Sequence, residues 1–173
     1  MTYDKYKYKS YNSIYPRLYR IEKAKLRKVL VKTAVIEHLG STAVKGLGGK
    51  GIIDILIFVK EKQIVKCLQQ LVEIGFEYKS EHIGDTKRKF FQKRIICRGK
   101  ERRVHIHLTA DKGFLNSFIG FRNYLRENKK ARNEYARIKK QGSKLAKEDK
   151  LKYANHKLSF LKETIKKALK EKE

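Results

Sequence analysis

The chain has 173 residues, enough for one domain with a sizeable core, and its 44 Lys and Arg against 18 Asp and Glu leave a formal charge of +26. No apolar run approaches the roughly 18 residues that cross a bilayer and no signal-peptide pattern opens the sequence, so a cytoplasmic protein without a membrane anchor is expected. Cys67 and Cys97 lack zinc-finger or disulfide spacing and read as small apolar side chains in a reducing compartment.

Residues 1–12 interleave Tyr3, Tyr6, Tyr8 and Tyr11 with lysines, a basic segment expected to be loose, with rings lying on the surface or stacking bases. Pro16 suits the first turn of a helix, and Leu18, Ile21, Leu26, Val29 and Leu30 give it an apolar stripe. Ala34 to Leu39 reads as a strand ending in a Gly-Ser turn, where Ser41 and Thr42 are placed to cap a short helical turn. Gly46, Gly48, Gly49 and Gly51 then make a loop around Lys45 and Lys50. Ile52 to Val59 is apolar on both faces, the pattern of a central strand. Glu61 to Ile74 is an amphipathic helix through Ile64, Val65, Leu68, Leu71 and Val72, stopped by Gly75.

Phe76 to Lys79 reads as a strand and Ser80 to Lys87 as a polar loop. Lys89 to Cys97 and Arg102 to Thr109 form a hairpin across Arg98-Gly99-Lys100-Glu101. In its second strand Val104, Ile106 and Leu108 share one face, and Arg103, His105 and His107 the other. Helices are expected over Phe114–Glu127, Lys130–Gln141 and Glu148–Lys170. Leu151, Leu158 and Ile165, with Leu161 and Leu169, stripe the last of them for core packing or a partner groove. The whole reads as a single α+β domain, with residues 114–173 as its helical C-terminal part.

Chemistry concentrates between His38 and Val59. Backbone amides around Gly40, Ser41 and Thr42 and the glycine loop around Lys50 suit phosphate. Asp54, alone in an apolar strand, requires a cationic partner. His105 and His107 lie on one strand face, close enough to share a metal or to be plain surface histidines. Three roles for Asp54 stay open: an ion pair with Lys50 or an arginine, a metal site with His105 or His107 and, weakly, His38, or one Mg²⁺ bridged by substrate phosphates. His38 has a plainer role as a brace for the following turn.

Ile36 to Val59 resembles the signature of the GrpB family, in the nucleotidyltransferase superfamily, which reads I-E-H-hydrophobic-G-S-T-A/S-V-P-G-L-x-x-K-P-I-I-D-I. Val104-His105-Ile106-His107 fits its later His-x-His strand, Gly120 to Arg126 its F-R-D-Y-L-R helix, and Tyr153 to Leu161 its closing Y-x-x-x-K-x-x-F helix. The resemblance implies a nucleotidyltransferase-like mixed sheet of about five strands, with flanking helices and a C-terminal helical cluster. It also places Lys50, Arg122 and Lys157 at motif positions suited to phosphate or nucleotide. The superfamily pattern sets two carboxylates at spacing two on one strand and a third on a later strand. Here Asp54 holds the first position, Leu56 the second, and His105 and His107 stand where the third belongs.

The resemblance therefore implies a possible enzyme: a nucleotidyltransferase taking a nucleoside triphosphate and a divalent metal (Mg, Mn or Zn), with Asp54, His105 and His107 as the catalytic set. The missing acids favour the alternative of a catalytically degenerate nucleotide- or RNA-binding module. The positive charge is diffuse: residues 1–30 carry nine basic against two acidic side chains, 31–125 eighteen against nine, and 126–173 seventeen against seven. Such a field draws nucleic acid, although scattered lysines are also what a solvated face looks like.

Overall fold

The computed structural model describes residues 7–79, 88–145 and 150–170, with side chains described except at 145 and 150–156. The expected loop from Ser80 to Lys87, and Tyr3 and Tyr6, lie outside these residues. Strands β1 (Val35–Leu39), β2 (Ile53–Phe58), β3 (Glu77–Tyr78), β4 (Lys89–Cys97) and β5 (Lys100–Thr109) form one sheet in the order β1-β2-β5-β4-β3. β2 and β5 run parallel and every other neighbouring pair antiparallel, so the sheet is mixed. Helices α1 (Tyr15–Val29), α2 (Ile64–Glu73), α3 (Lys112–Glu127), α4 (Lys129–Leu145) and α5 (Lys150–Lys170) complete an α+β architecture. Among the described residues no helix is long and apolar enough to cross a membrane.

The period-two pattern divides the sheet cleanly. Ile53, Ile55, Ile57, Val104, Ile106 and Leu108 are fully buried in one core with Leu18 and Leu26 of α1 and Cys67 and Leu71 of α2. The opposite face carries Asp54, Leu56, His105 and His107 toward α3, α4 and α5. There Val44, Leu47, Phe121, Leu125 and Tyr135 make a second core, closed by Phe160, Leu161 and Ile165 of α5.

Several local expectations shift. Pro16 does open α1, but Ile21 is 42% exposed and Glu22 takes its place in the buried stripe, its carboxylate 2.7 Å from Lys25 Nζ. In α2, Val65 and Val72 are exposed while Cys67 is buried, so the core face runs through Ile64, Cys67, Leu68 and Leu71. In α5 the packed stripe likewise runs through Leu161 and Ile165, with Leu158 and Leu169 exposed. In each case one polar, small or extra apolar residue hid the true helical phase.

The hairpin turn has two residues rather than four. Arg98 and Gly99 both have positive φ, 50° and 67°, the twist that matches a right-handed pair of strands, and β5 therefore starts at Lys100. Ser41 to Ala43 does form a short 3₁₀ turn, but neither Ser41 nor Thr42 caps it; Gly40 fills that position. α3 begins two residues before Phe114 because Asp111 caps it, Oδ1 accepting from the Phe114 amide at 2.7 Å. In the opening segment, Lys9 exchanges two backbone hydrogen bonds with Gly49, and the Tyr8 amide donates to Ser143 Oγ.

Candidate functional site

The parallel register of β2 and β5 sets Asp54 opposite His105 and Leu56 opposite His107. Asp54 Oδ1 lies 3.4 Å from His105 Nδ1 and 3.8 Å from His107 Nε2. Its Oδ2 lies toward Gly40, whose φ of +68° places the bare backbone where any Cβ would collide with that oxygen. A glycine at the end of β1 is thus what admits the carboxylate. Burial pushes the Asp54 carboxyl up, but the contacts that the two imidazoles make with it outweigh burial and hold the group well below the usual carboxylate range.

Arg88 sits 2.6 Å from His107 Nδ1. A guanidinium only donates, so Nδ1 accepts and the ring proton lies on Nε2, facing Asp54. Burial lowers the His107 pKa, and Arg88 and His105 lower it further against the pull of Asp54. Phe90 packs edge-on to His105 and tilted against His107, fixing both rings.

Two hollows meet at Asp54. The polar one, about 210 Å³, brings together the expected Gly40, Ser41, Lys50, Asp54, His105 and Lys157. It also contains Lys139 and Tyr135, which the sequence did not single out. Lys139 is only 8% exposed, and its ammonium lies 5.3 Å from the Tyr135 ring centre. Burial pushes its pKa down to about 7, aided by Lys157 and Lys50 and resisted by Asp54. Burial lowers Lys157 as well, again against Asp54. A side chain at Gly49 would strike both Ser41 Oγ and Lys139 Nζ, so hydroxyl and ammonium meet over uncovered backbone.

The second hollow, about 170 Å³, is apolar, walled by Val44, Leu47, Phe118, Phe121, Leu125 and Leu161. It shares Gly40, Asp54 and Tyr135 with the first, and Arg88, His107 and Arg122 stand on its rim. The two hollows are thus neighbours with one carboxylate at the partition.

Three expected residues have other engagements. Thr42 is 1% exposed; its hydroxyl donates to the Ile52 carbonyl and lies 2.9 Å from His38 Nε2. His38 stacks on Tyr19 at 4.4 Å, and burial drives its pKa down to about 4. Together they brace the turn that presents Ser41, and neither side chain lines a hollow. Arg122 donates to Glu37 Oε2 at 2.6 Å, to the His38 carbonyl at 3.0 Å and to Asn123 Oδ1 at 3.0 Å, tying α3 to β1.

The metal set expected from Asp54, His105, His107 and His38 is not a good match to these donors. Hard Mg²⁺ takes oxygen ligands, and the polar hollow offers one carboxylate surrounded by lysines. Leu56, at the second acid position, is fully buried against Leu39 and Leu115. His38 is held by Thr42, and His107 has Arg88 on one nitrogen and a proton on the other, so a two-histidine, one-carboxylate set is not assembled either. Among the described residues no group of three His, Cys, Asp or Glu is arranged to hold a metal ion. Lys139 has no signature in the sequence because it is one of seventeen cations after residue 125, and only the packing of α4 distinguishes it. The single local hint was Tyr135 one turn earlier on the same helix face.

The family model described as GrpB protein matches residues 6–167. The UPF0157 protein BH1888 of Halalkalibacterium halodurans is 30% identical over 162 residues, spanning 91% of this chain and 80% of that protein. The glutamate-rich protein GrpB of Alkalihalophilus pseudofirmus is 31% identical over 153 residues, 86% of this chain and 87% of its own. Among solved structures, the conserved protein GrpB from Enterococcus faecalis superposes with a TM-score of 0.79 at 31% identity, over 95% of this chain and 98% of that one. The Cid1 poly(U) polymerase bound to MgGTP superposes with a TM-score of 0.53 at 12% identity, over 78% of this chain and 44% of that one, a likeness of fold.

Proposed function

The chain belongs to the GrpB family, and from that premise we propose that it is a nucleotide-binding module whose polar hollow takes the phosphates of a nucleoside triphosphate. One observation carries the reading: Lys50, Lys139, Lys157 and Ser41 surround the single carboxylate of Asp54, leaving a surplus of positive charge in a partly desolvated space. Phosphate oxygens answer that surplus with charge-assisted hydrogen bonds. An arriving phosphate raises the Lys139 pKa, so the amine gains a proton as ligand binds. The adjoining apolar hollow, with Phe118, Phe121 and Tyr135, offers a stacking environment for a base. Asp54 supplies an acceptor for a sugar hydroxyl between the two. That the Cid1 polymerase, of similar fold, binds MgGTP supports the ligand class.

In this reading the lysines supply the positive charge that metals supply to a two-metal transferase. Calorimetric titration with each common triphosphate, in Mg²⁺ and in EDTA, tests it. Binding that survives EDTA and weakens at least about tenfold in Lys139→Met is expected, since one lost charge-assisted hydrogen bond is worth about 1.5–3 kcal/mol. Affinity that vanishes in EDTA, or is unchanged in Lys139→Met, refutes it.

A second reading, nucleotidyl transfer to an acceptor hydroxyl, is favoured by one arrangement: the ionised Asp54 and the His105 ring share a hollow with Ser41. This would place a proton acceptor beside the bound phosphates. Labelled triphosphates with Mg²⁺ or Mn²⁺, beside an Asp54→Ala control, decide between the two. A product that the control abolishes establishes transfer.

A further inference from the structure

A second concave surface lies outside the two hollows, between the start of α1 and the β4–β5 hairpin. It encloses about 470 Å³ and is lined by Arg17 and Arg20 of α1 and by Arg98, Lys100 and Arg102 of the hairpin, together with Asn12 and Ser13. No acidic side chain lines it. Among the described residues none of these five cations is in an ion pair. The Nε of Arg102 is buried without a hydrogen-bond partner, while its guanidinium lies 6.0 Å from the Tyr15 ring centre.

The local electrostatics are unfavourable in two ways at once, and the hairpin turn beside them carries a backbone cost. Arg17 and Arg20 are like charges three residues apart on one helix, which repel. They sit in the first turns of α1, the positive end of its dipole, with no acid there to offset them. Arg98 holds a left-handed turn position at φ 50° that Asn or Gly would fill with less strain. Like-charge repulsion focused on one concavity, which the Tyr15 ring offsets only at Arg102, is relieved by an external anion.

We propose that this groove binds the phosphodiester backbone of a single-stranded nucleic acid. This goes beyond the nucleotide reading and does not depend on it. Five cations lining one concavity suit the phosphates of a single strand flexible enough to bend into it. A lipid surface fits less well: the only apolar residues in the lining, Ile14 and Cys97, are half-buried and offer nothing to insert.

The test is fluorescence anisotropy with labelled RNA and DNA oligonucleotides of about 12 nucleotides, within the usual site size for such grooves. With five phosphates neutralised, the logarithm of affinity falls against the logarithm of salt with a slope of about −3.5, near a hundredfold loss from 50 to 200 mM. Arg17→Gln combined with Arg98→Gln should reduce the slope by about 1.4 and weaken binding at low salt at least tenfold. The double change Lys62→Gln and Lys66→Gln, of equal charge at exposed positions in the turn before α2 and in its first turn, should leave affinity within twofold. Saturating triphosphate should not displace the oligonucleotide. All four changes are at exposed positions, and the wild-type salt slope provides a readout that needs no variant. The proposal is overturned if neither oligonucleotide binds, if the slope is shallower than about −1.5, or if the Lys62 and Lys66 pair matters as much as the groove pair. Displacement by triphosphate, or preference for anionic vesicles, overturns it equally.

Discussion

Replacing Lys139 with methionine keeps the length of the side chain and removes a buried ammonium. The depression of its pKa from 10.5 to about 7 is the free-energy cost of holding the charge in the hollow, beside Lys157 and Lys50. At about 1.4 kcal/mol per unit that cost is at most roughly 5 kcal/mol. The unfolded chain binds its proton up to pH 10.5 while the folded chain releases it near 7, so wild-type stability rises with pH across that window and the penalty is largest below it. Relative to Lys139→Met, the wild type should gain about 2 kcal/mol between pH 7 and 9 and change little between pH 5.5 and 6.5. Urea denaturation of both proteins across that range measures the difference directly, and other titrating groups cancel. A variant less stable than wild type at pH 6, or a difference independent of pH, would refute the reasoning. It would mean that the amine is solvated or paired and is not a strained cation awaiting an anion.

Gly40→Ala should cost at least about 2 kcal/mol in urea denaturation, because Cβ meets Asp54 Oδ2 and φ is +68°. The same change should shift the His105 and His107 NMR signals, and unchanged spectra would show that the carboxylate does not lean on that glycine. Arg122→Met breaks the 2.6 Å bridge to Glu37 and should destabilise by about 2–3 kcal/mol, part of which Glu37→Gln restores in the double variant. A loss of triphosphate affinity without a loss of stability would instead make Arg122 a ligand contact. His38 should titrate near 4 by NMR while its unfolded counterpart titrates near 6.5, so stability is full above pH 6.5 and falls by up to about 3 kcal/mol toward pH 4. His38→Asn should flatten that slope, and a His38 inflection near 6.5 would contradict the buried brace.

Much of the fold was legible because it rests on short-range rules. Alternation in Val104, Ile106 and Leu108 against His105 and His107 fixed which side of β5 faces the core. Gly75 and Pro16 marked helix ends by their own backbone chemistry. Helical phase is concealed where polar residues enter the apolar stripe: Glu22 lies in the buried stripe of α1, its carboxylate paired with Lys25, a contact that composition does not reveal. Leu56 was recognisable as a missing acid, yet only packing shows its position sealed under Leu115.

The site divides the same way. Sequence alone marked Gly40, Ser41, Lys50 and Asp54, since glycines, a hydroxyl, a cation and an isolated carboxylate within fifteen residues can serve only a few chemistries. It did not separate Lys139 from the other lysines, did not join Arg88 to His107, and did not gather five basic side chains into one groove. Those facts depend on where α4 crosses the sheet, where a strand begins and how a hairpin folds against α1, and each brings together residues tens of positions apart. Local backbone preference acts over a few residues. Charge in a shared, poorly hydrated space acts between whatever residues the chain brings into contact, so only the folded molecule decided which lysine carries the perturbed proton.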